Sequence, residues 1–129
     1  MRILIVDDDF ANRKLPAVVL GRVGHTVEEV TTGADALART LETAFDVVLL
    51  DLTMPDMSGY EVCRQLRSRD GGEALRIVAY TAYGVDALRE QVLKAGFDAL
   101  LLKPVTPADI LAAVVPSSGG VSGAPPALG

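Results

Sequence analysis

Five short apolar runs, each followed by a segment whose apolar residues recur at three- and four-residue spacing, divide this chain into strand-and-helix units. That alternation constrains the fold more than any other feature. Strands are expected at residues 3–6, 26–30, 47–50, 77–80 and 99–102, and helices at 11–22, 34–43, 60–67, 86–95 and 108–115. Parallel strands must be joined by crossovers, so five such units predict an open, doubly wound α/β sheet with helices on both faces. Ile3-Leu4-Ile5-Val6, Val47-Val48-Leu49-Leu50 and Ala99-Leu100-Leu101-Leu102 are almost uninterrupted apolar runs, the pattern of strands buried on both faces, and are expected at the centre of the sheet. Thr26-Val27-Glu28-Glu29-Val30 carries two carboxylates and is expected at an edge.

The helical spacing predicts that Leu37 and Leu41, Val62 and Leu66, and Leu88, Val92 and Ala95 face the sheet. Gly24 and Gly96 fall where helix ends favour a positive φ. Pro16 removes a backbone donor and clashes with the preceding turn, so the first helix is expected to start late or to kink there.

A chain of 129 residues, 50% hydrophobic, suffices for one core and not for two of ordinary size. With a net charge of -5 and no run of Lys or Arg, it lacks the basic surface that direct nucleic-acid binding requires. The N-terminal apolar run is too short for a signal peptide or a membrane span. Cys63 is the only cysteine, which excludes an internal disulfide, suits a reducing cytosol and reads as a small buried apolar residue. A cytoplasmic location is expected. Residues 116–129 are rich in Pro, Gly and Ser, as in a flexible tail or linker, which leaves residues 1–115 as the domain.

Open α/β sheets place their sites at the carboxyl ends of the strands. Asp7, Asp8 and Asp9 follow the first expected strand and Asp51 closes the third. Carboxylates gathered at neighbouring strand ends repel one another unless a cation lies among them. Mg²⁺ (or Mn²⁺) suits such an oxygen set, and Lys103 at the end of the fifth strand offers a second counter-charge. Thr81 ends the fourth strand with a hydroxyl that can hydrogen-bond an anion beside the metal. Taken singly, each has a plainer use: Asp9 as a helix N-cap, Thr81 as a strand-end cap, Lys103 as surface charge. Together, at four strand ends, they point to one site.

Ile3-Leu4-Ile5-Val6-Asp7-Asp8-Asp9, Asp51-Leu52-Thr53-Met54-Pro55-Asp56-Met57-Ser58-Gly59, Ala79-Tyr80-Thr81-Ala82, and Ala95-Gly96-Phe97-Asp98 through Lys103-Pro104-Val105-Thr106 resemble, in order and spacing, the motifs of the response-regulator receiver family of two-component signalling. The resemblance covers about residues 2–115. It implies a flavodoxin-like (βα)5 fold with strand order 2-1-3-4-5, and a signalling switch rather than an enzyme that turns over substrate. Asp51 would accept a phosphoryl group from a phosphohistidine of a histidine kinase or phosphotransfer protein, or from acetyl phosphate. Asp8 and Asp51 would ligate Mg²⁺ directly, Asp7 through water, and Thr53 through its backbone carbonyl. Thr81 and Lys103 would hold phosphoryl oxygens, with a cis peptide between Lys103 and Pro104. The surface of the fourth helix, fifth strand and fifth helix would carry the signal to an unknown downstream protein, from a monomer or a phosphorylation-dependent dimer.

Some positions depart from the family pattern. Leu100 stands where an aromatic switch residue is common, so the signal is expected to pass through packing rather than through a ring. Thr53 and Tyr83 occupy the positions that tune dephosphorylation, and Ala82 joins them beside Thr81. A bulky Tyr83 over the site would slow loss of the phosphoryl group; surface packing is its other reading. His25 reads as a turn residue with no part in phosphotransfer.

Three rivals remain to be weighed. A haloacid-dehalogenase-like phosphatase needs a second aspartate two positions after its nucleophile, where this chain has Thr53. A flavin-binding module needs a phosphate-cradling loop where this chain has three aspartates. A receiver-like protein-binding adaptor that is never phosphorylated is the alternative that Leu100 keeps open. Both a free-standing regulator and a receiver from a hybrid kinase fit the sequence, with Met1 at the start of the first strand favouring a natural N-terminus.

Overall fold

The computed structural model describes residues 1–81, 86–103 and 105–115, without the side chains of residues 86–88. The expectations for Ala82, Tyr83, Pro104, the Leu88 side chain and the 116–129 tail lie outside the described residues. The strands are β1 (Arg2–Val6), β2 (Thr26–Val30), β3 (Val47–Asp51), β4 (Arg76–Thr81) and β5 (Ala99–Leu102). The helices are α1 (Phe10–Arg22), α2 (Gly33–Glu42), α3 (Gly59–Arg67), α4 (Asp86–Lys94) and α5 (Pro107–Val114), with a 3-10 turn at Gly72–Ala74. All strand pairs are parallel, in the order β2-β1-β3-β4-β5 expected from the resemblance.

Side chains alternate across a strand, so each buried strand feeds two cores. Leu4, Val6, Val48, Leu50, Ile77 and Ala79 pack with Ala36, Val62, Leu66 and Val92 from α2, α3 and α4. Ile3, Ile5, Val47, Leu49 and Val78 pack on the other face with Leu20 of α1 and Ile110 and Val114 of α5. Each fully buried Leu, Ile or Val contributes roughly 1.5–3 kcal/mol, so these two layers supply most of the driving force. They hold the strand ends fixed relative to one another. Among the described residues no helix is long and apolar enough to cross a membrane.

Three expectations need correction, and one element has no counterpart in the sequence pattern. The apolar run of β5 is an edge strand, and β4, not β5, completes the buried centre. β5 is apolar because α4 and α5 pack against it, while its outer edge leaves Leu102 40% exposed. Leu41 is 72% exposed. The inward face of α2 runs through Gly33, Ala36, Leu37 and Thr40, and at 3.6 residues per turn Leu41 lies further round the helix. Helix α1 begins at Phe10 and runs through Pro16 rather than starting late. Asp9 caps it through the Ala11 N–H at 2.9 Å, and burial of Pro16 with Leu20 against the sheet offsets the lost hydrogen bond. The 3-10 turn follows Gly71, whose φ of 79° allows the reversal, and no apolar period announced it.

The edge strand β2 is as expected. Its carboxylates are paired outward, Glu28 with Arg39 at 2.8 Å and Glu29 with Arg13 at 3.1 Å, a charged cover that discourages pairing with another chain. Cys63 is fully buried, and burial pushes its thiol up to about 11, so it behaves as an apolar residue. Gly24 and Gly96 have φ of 97° and 109°, as their places at helix ends predicted.

Candidate functional site

Parallel pairing sets four chemical groups along the carboxyl edge of the sheet. Val6 lies opposite Leu50, Asp51 opposite Tyr80, and Thr81 opposite Leu102. Asp7, Asp51, Thr81 and Lys103 therefore stand at adjacent strand ends, each a short step from its neighbour. Asp7, Asp51 and Thr81 are buried, and Asp8 is exposed.

One oxygen from each of Asp7, Asp8 and Asp51 lies within 4.8 Å of the others. The ammonium of Lys103 is 2.9 Å from Asp7 Oδ2 and 4.0 Å from Asp51 Oδ1, and stands 4.7 Å from the centroid of the Tyr80 ring. Asp7 Oδ1 accepts from the Asp9 N–H at 2.9 Å, and Asp51 Oδ1 from the Thr53 N–H at 3.2 Å. Burial pushes the Asp51 carboxyl up to about 6; the Thr53 N–H and Lys103 oppose that shift, while the charges of Asp7 and Asp8 add to it. Three carboxylates facing one ammonium leave an excess of negative charge in a partly desolvated cleft. Oxygen donors at this spacing fit a small divalent cation that keeps some of its waters.

The sequence-derived residues Asp7, Asp8, Asp51, Thr53, Thr81 and Lys103 thus meet at one edge. Asp9 caps α1 and is not among the clustered carboxylates, and His25, before β2, hydrogen-bonds Met1 N at 3.1 Å. Leu100 is half-buried beneath the site, packed on the α2–α4 core and paired with Ala79. Two contributors escaped the sequence reading. Arg13 Nη1 donates to the Asp7 carbonyl at 2.9 Å, fixing the backbone that aims the carboxylate; its signal is an arginine one helical turn after the Asp9 cap. Tyr80 supplies an apolar, electron-rich wall beside the Lys103 ammonium, a role readable only once β4 and β5 are known to be neighbours.

The loop that follows Asp51 is closed tightly. Gly59 N–H donates to Leu52 O at 3.0 Å, and a Cβ on Gly59 would stand 2.3 Å from the Asp51 carbonyl oxygen, so only glycine lets α3 begin this close to β3. Ser58 caps α3 through the Glu61 N–H at 3.2 Å.

With this geometry in place, residues 3–115 match the family model of the response regulator receiver domain, and the chain belongs to that family. It is 39% identical over 110 residues to the transcriptional regulatory protein ResD of Bacillus subtilis, covering 85% of this chain and 45% of ResD. It is also 39% identical over 106 residues to the sensor histidine kinase RcsC of Salmonella typhimurium, covering 82% of this chain and 11% of that protein. The chain therefore spans less than half of either relative. Its fold is similar to the receiver domain of the sensor histidine kinase PA1611 of Pseudomonas aeruginosa, solved with a magnesium ion coordinated in the active site cleft. That likeness has a TM-score of 0.80 at 29% identity, over 88% of this chain and 93% of that one. Receiver domains are the switches of two-component signalling, and this chain is a receiver domain.

Proposed function

We propose that residues 1–115 act as the phosphoacceptor of a phosphorelay in the cytoplasm, with Asp51 taking a phosphoryl group from a phosphohistidine of a histidine kinase or phosphotransfer protein. The observation that carries this reading is the acidic cluster of Asp7, Asp8 and Asp51 with Lys103 bridging two of its members. An oxygen of Asp51 attacks phosphorus in line, the phosphorus–nitrogen bond to the donor imidazole breaks, and the imidazole nitrogen keeps that electron pair. With acetyl phosphate the leaving group is acetate.

Asp8 and Asp51 would hold Mg²⁺ directly, Asp7 through water and Thr53 through its carbonyl; the magnesium coordinated in the related PA1611 cleft supports that assignment. When bound, the cation supplies charge neutralisation, which with positioning is most of what phosphoryl transfer needs. Lys103 and the Thr81 hydroxyl hold phosphoryl oxygens, and Lys103 loses contact with Asp7 as it does so. Thr53, Ala82 and Tyr83 would tune how long the phosphoryl group persists. The change is read on the surface of α4, β5 and α5 through packing of Leu100, which has no ring to expose. The downstream partner there is a protein.

The test is intact mass after incubation with Mg²⁺ and acetyl phosphate, beside Asp51→Ala. A phosphoryl adduct on the wild type, absent without Mg²⁺ and absent in the variant, is expected. No adduct from any donor, with Mg²⁺ bound and the chain folded, would favour the constitutive adaptor instead.

A further inference from the structure

The loop between β3 and α3 is fixed at both ends by the Thr53 and Gly59 hydrogen bonds, yet its middle would be free without a second anchor. Asp56 provides one. Its Oδ1 accepts from the Gly33 N–H at 3.1 Å and its Oδ2 from the Ala34 N–H at 3.0 Å, at the start of α2. Both oxygens are thus taken by donors that a helix start leaves open, which explains why Asp56, only five residues from Asp51, stays out of the acidic cluster. These hydrogen bonds hold its carboxyl below the ordinary carboxylate range. The next residue tightens the contact: a Cβ on Gly33 would meet Met57 Cγ at 2.5 Å and Val62 Cγ2 at 2.8 Å, so α2 opens on glycine where the loop presses against it.

We propose that Asp56 is a positioning residue for the metal site, tethering the 52–58 loop to α2 and so holding the Thr53 carbonyl where Mg²⁺ needs it. This rests on Mg²⁺ binding at Asp8, Asp51 and Thr53, the metal reading of the proposed function. Thr32 provides the control, because its hydroxyl caps the same helix through the Asp35 N–H at 3.0 Å, a hydrogen bond within α2 that does not involve the loop. Losing either cap weakens α2; only losing Asp56 frees the loop.

The full chain is titrated with Mg²⁺ while its amide resonances are followed, and amide hydrogen exchange is measured without metal. Asp56→Ala is expected to raise the apparent Mg²⁺ dissociation constant about tenfold, at the low end for groups that support metal ligands, and to speed exchange at Thr53. Asp56→Asn, which keeps one acceptor oxygen, should recover part of both effects. Thr32→Ala should lower the melting temperature and leave Mg²⁺ affinity as in the wild type. Wild-type affinity in Asp56→Ala, or an equal loss in Thr32→Ala, would overturn the tether. A wild type that binds no Mg²⁺ would overturn the metal reading itself, and with it the positioning role of Asp56.

Discussion

Lys103 Nζ stands 2.9 Å from Asp7 Oδ2, a contact between residues 96 positions apart that sets the charge balance of the whole site. The same ammonium reaches toward Asp51 at 4.0 Å, so it occupies the place of a counter-ion and competes with any cation drawn by the three carboxylates. Replacing it separates two functions that a simple loss of fold would not.

Lys103→Met should bind Mg²⁺ more tightly, by about threefold to tenfold, because a positive charge beside the ligands is gone. The same variant should be phosphorylated by acetyl phosphate at least about tenfold more slowly, since the charge proposed to neutralise the transferred group is lost. Amide-shift titration and intact-mass time courses read the two effects. Weaker Mg²⁺ binding in the variant would show that Lys103 supports the site by structure alone.

The pH dependence follows from Asp51, whose carboxyl lies at about 6 in the fold against an ordinary value of 3.8. The folded state holds this proton more tightly than the unfolded one. Its contribution therefore favours folding below the ordinary value and is lost as pH rises through about 6. In metal-free protein near neutral pH, the ionised Asp51 is a penalty on the order of 1–3 kcal/mol. Asp51→Asn should then melt higher than wild type in a chelator at neutral pH, with the gap narrowing toward acid and on adding Mg²⁺ to both. Mg²⁺ affinity of the wild type should fall below about pH 6, where protons compete for Asp51. A gap that widens in acid would contradict the sign argued above.

Much of this was legible in the sequence because the demands of a buried parallel sheet are local. Val47-Val48-Leu49-Leu50 reads as a buried strand without any partner, and the acid that ends it reads as a site residue once its position on the sheet edge is inferred. Polarity along a strand is a weaker guide to order: β5 is as apolar as β1, yet lies at the edge under two helices. Long-range polar anchors were not legible at all. The Arg67 guanidinium donates to the Gly96, Gly72 and Leu75 carbonyls and pairs with Asp98, joining α3 to segments up to 31 residues away. The Asp56 tether crosses 22 or 23 residues. No periodicity encodes such partners, because each depends on how close two loops come after folding.

The Tyr60 hydroxyl is buried without a hydrogen-bond partner among the described residues, and burial raises its ionisation above the ordinary tyrosine value. Its ring meets Phe97 edge-on at 6.0 Å and carries the packing energy. Tyr60→Phe should therefore be neutral or stabilise the protein by up to about 1 kcal/mol, read as the urea midpoint, because it deletes an unsatisfied polar group and keeps the ring. A loss of stability would mean that the hydroxyl is satisfied in solution.

On the proposed phosphorelay reading a donor would bring its phosphohistidine to Asp51 at the carboxyl edge, where α1 begins and carries a largely apolar, exposed face. Phe10, 64% exposed, directly follows the Asp9 cap, and Leu15 is 40% exposed beside it, with Ala11, Lys14 and Val18 completing the face. Leu15 lies with Phe10, Ala11, Lys14 and Val18 of α1 and is not one of the acidic-cluster residues, and surface substitutions of this kind usually change stability by about 0.5 kcal/mol or less. Leu15→Ala should leave phosphorylation by acetyl phosphate unchanged. It should slow transfer from a histidine kinase or phosphotransfer protein that labels the wild type by about tenfold, the effect of losing one apolar anchor at an interface. Parallel time courses with the two donors decide it. Equal slowing with both would place the defect in the site, and no slowing with either would move the docking face away from α1.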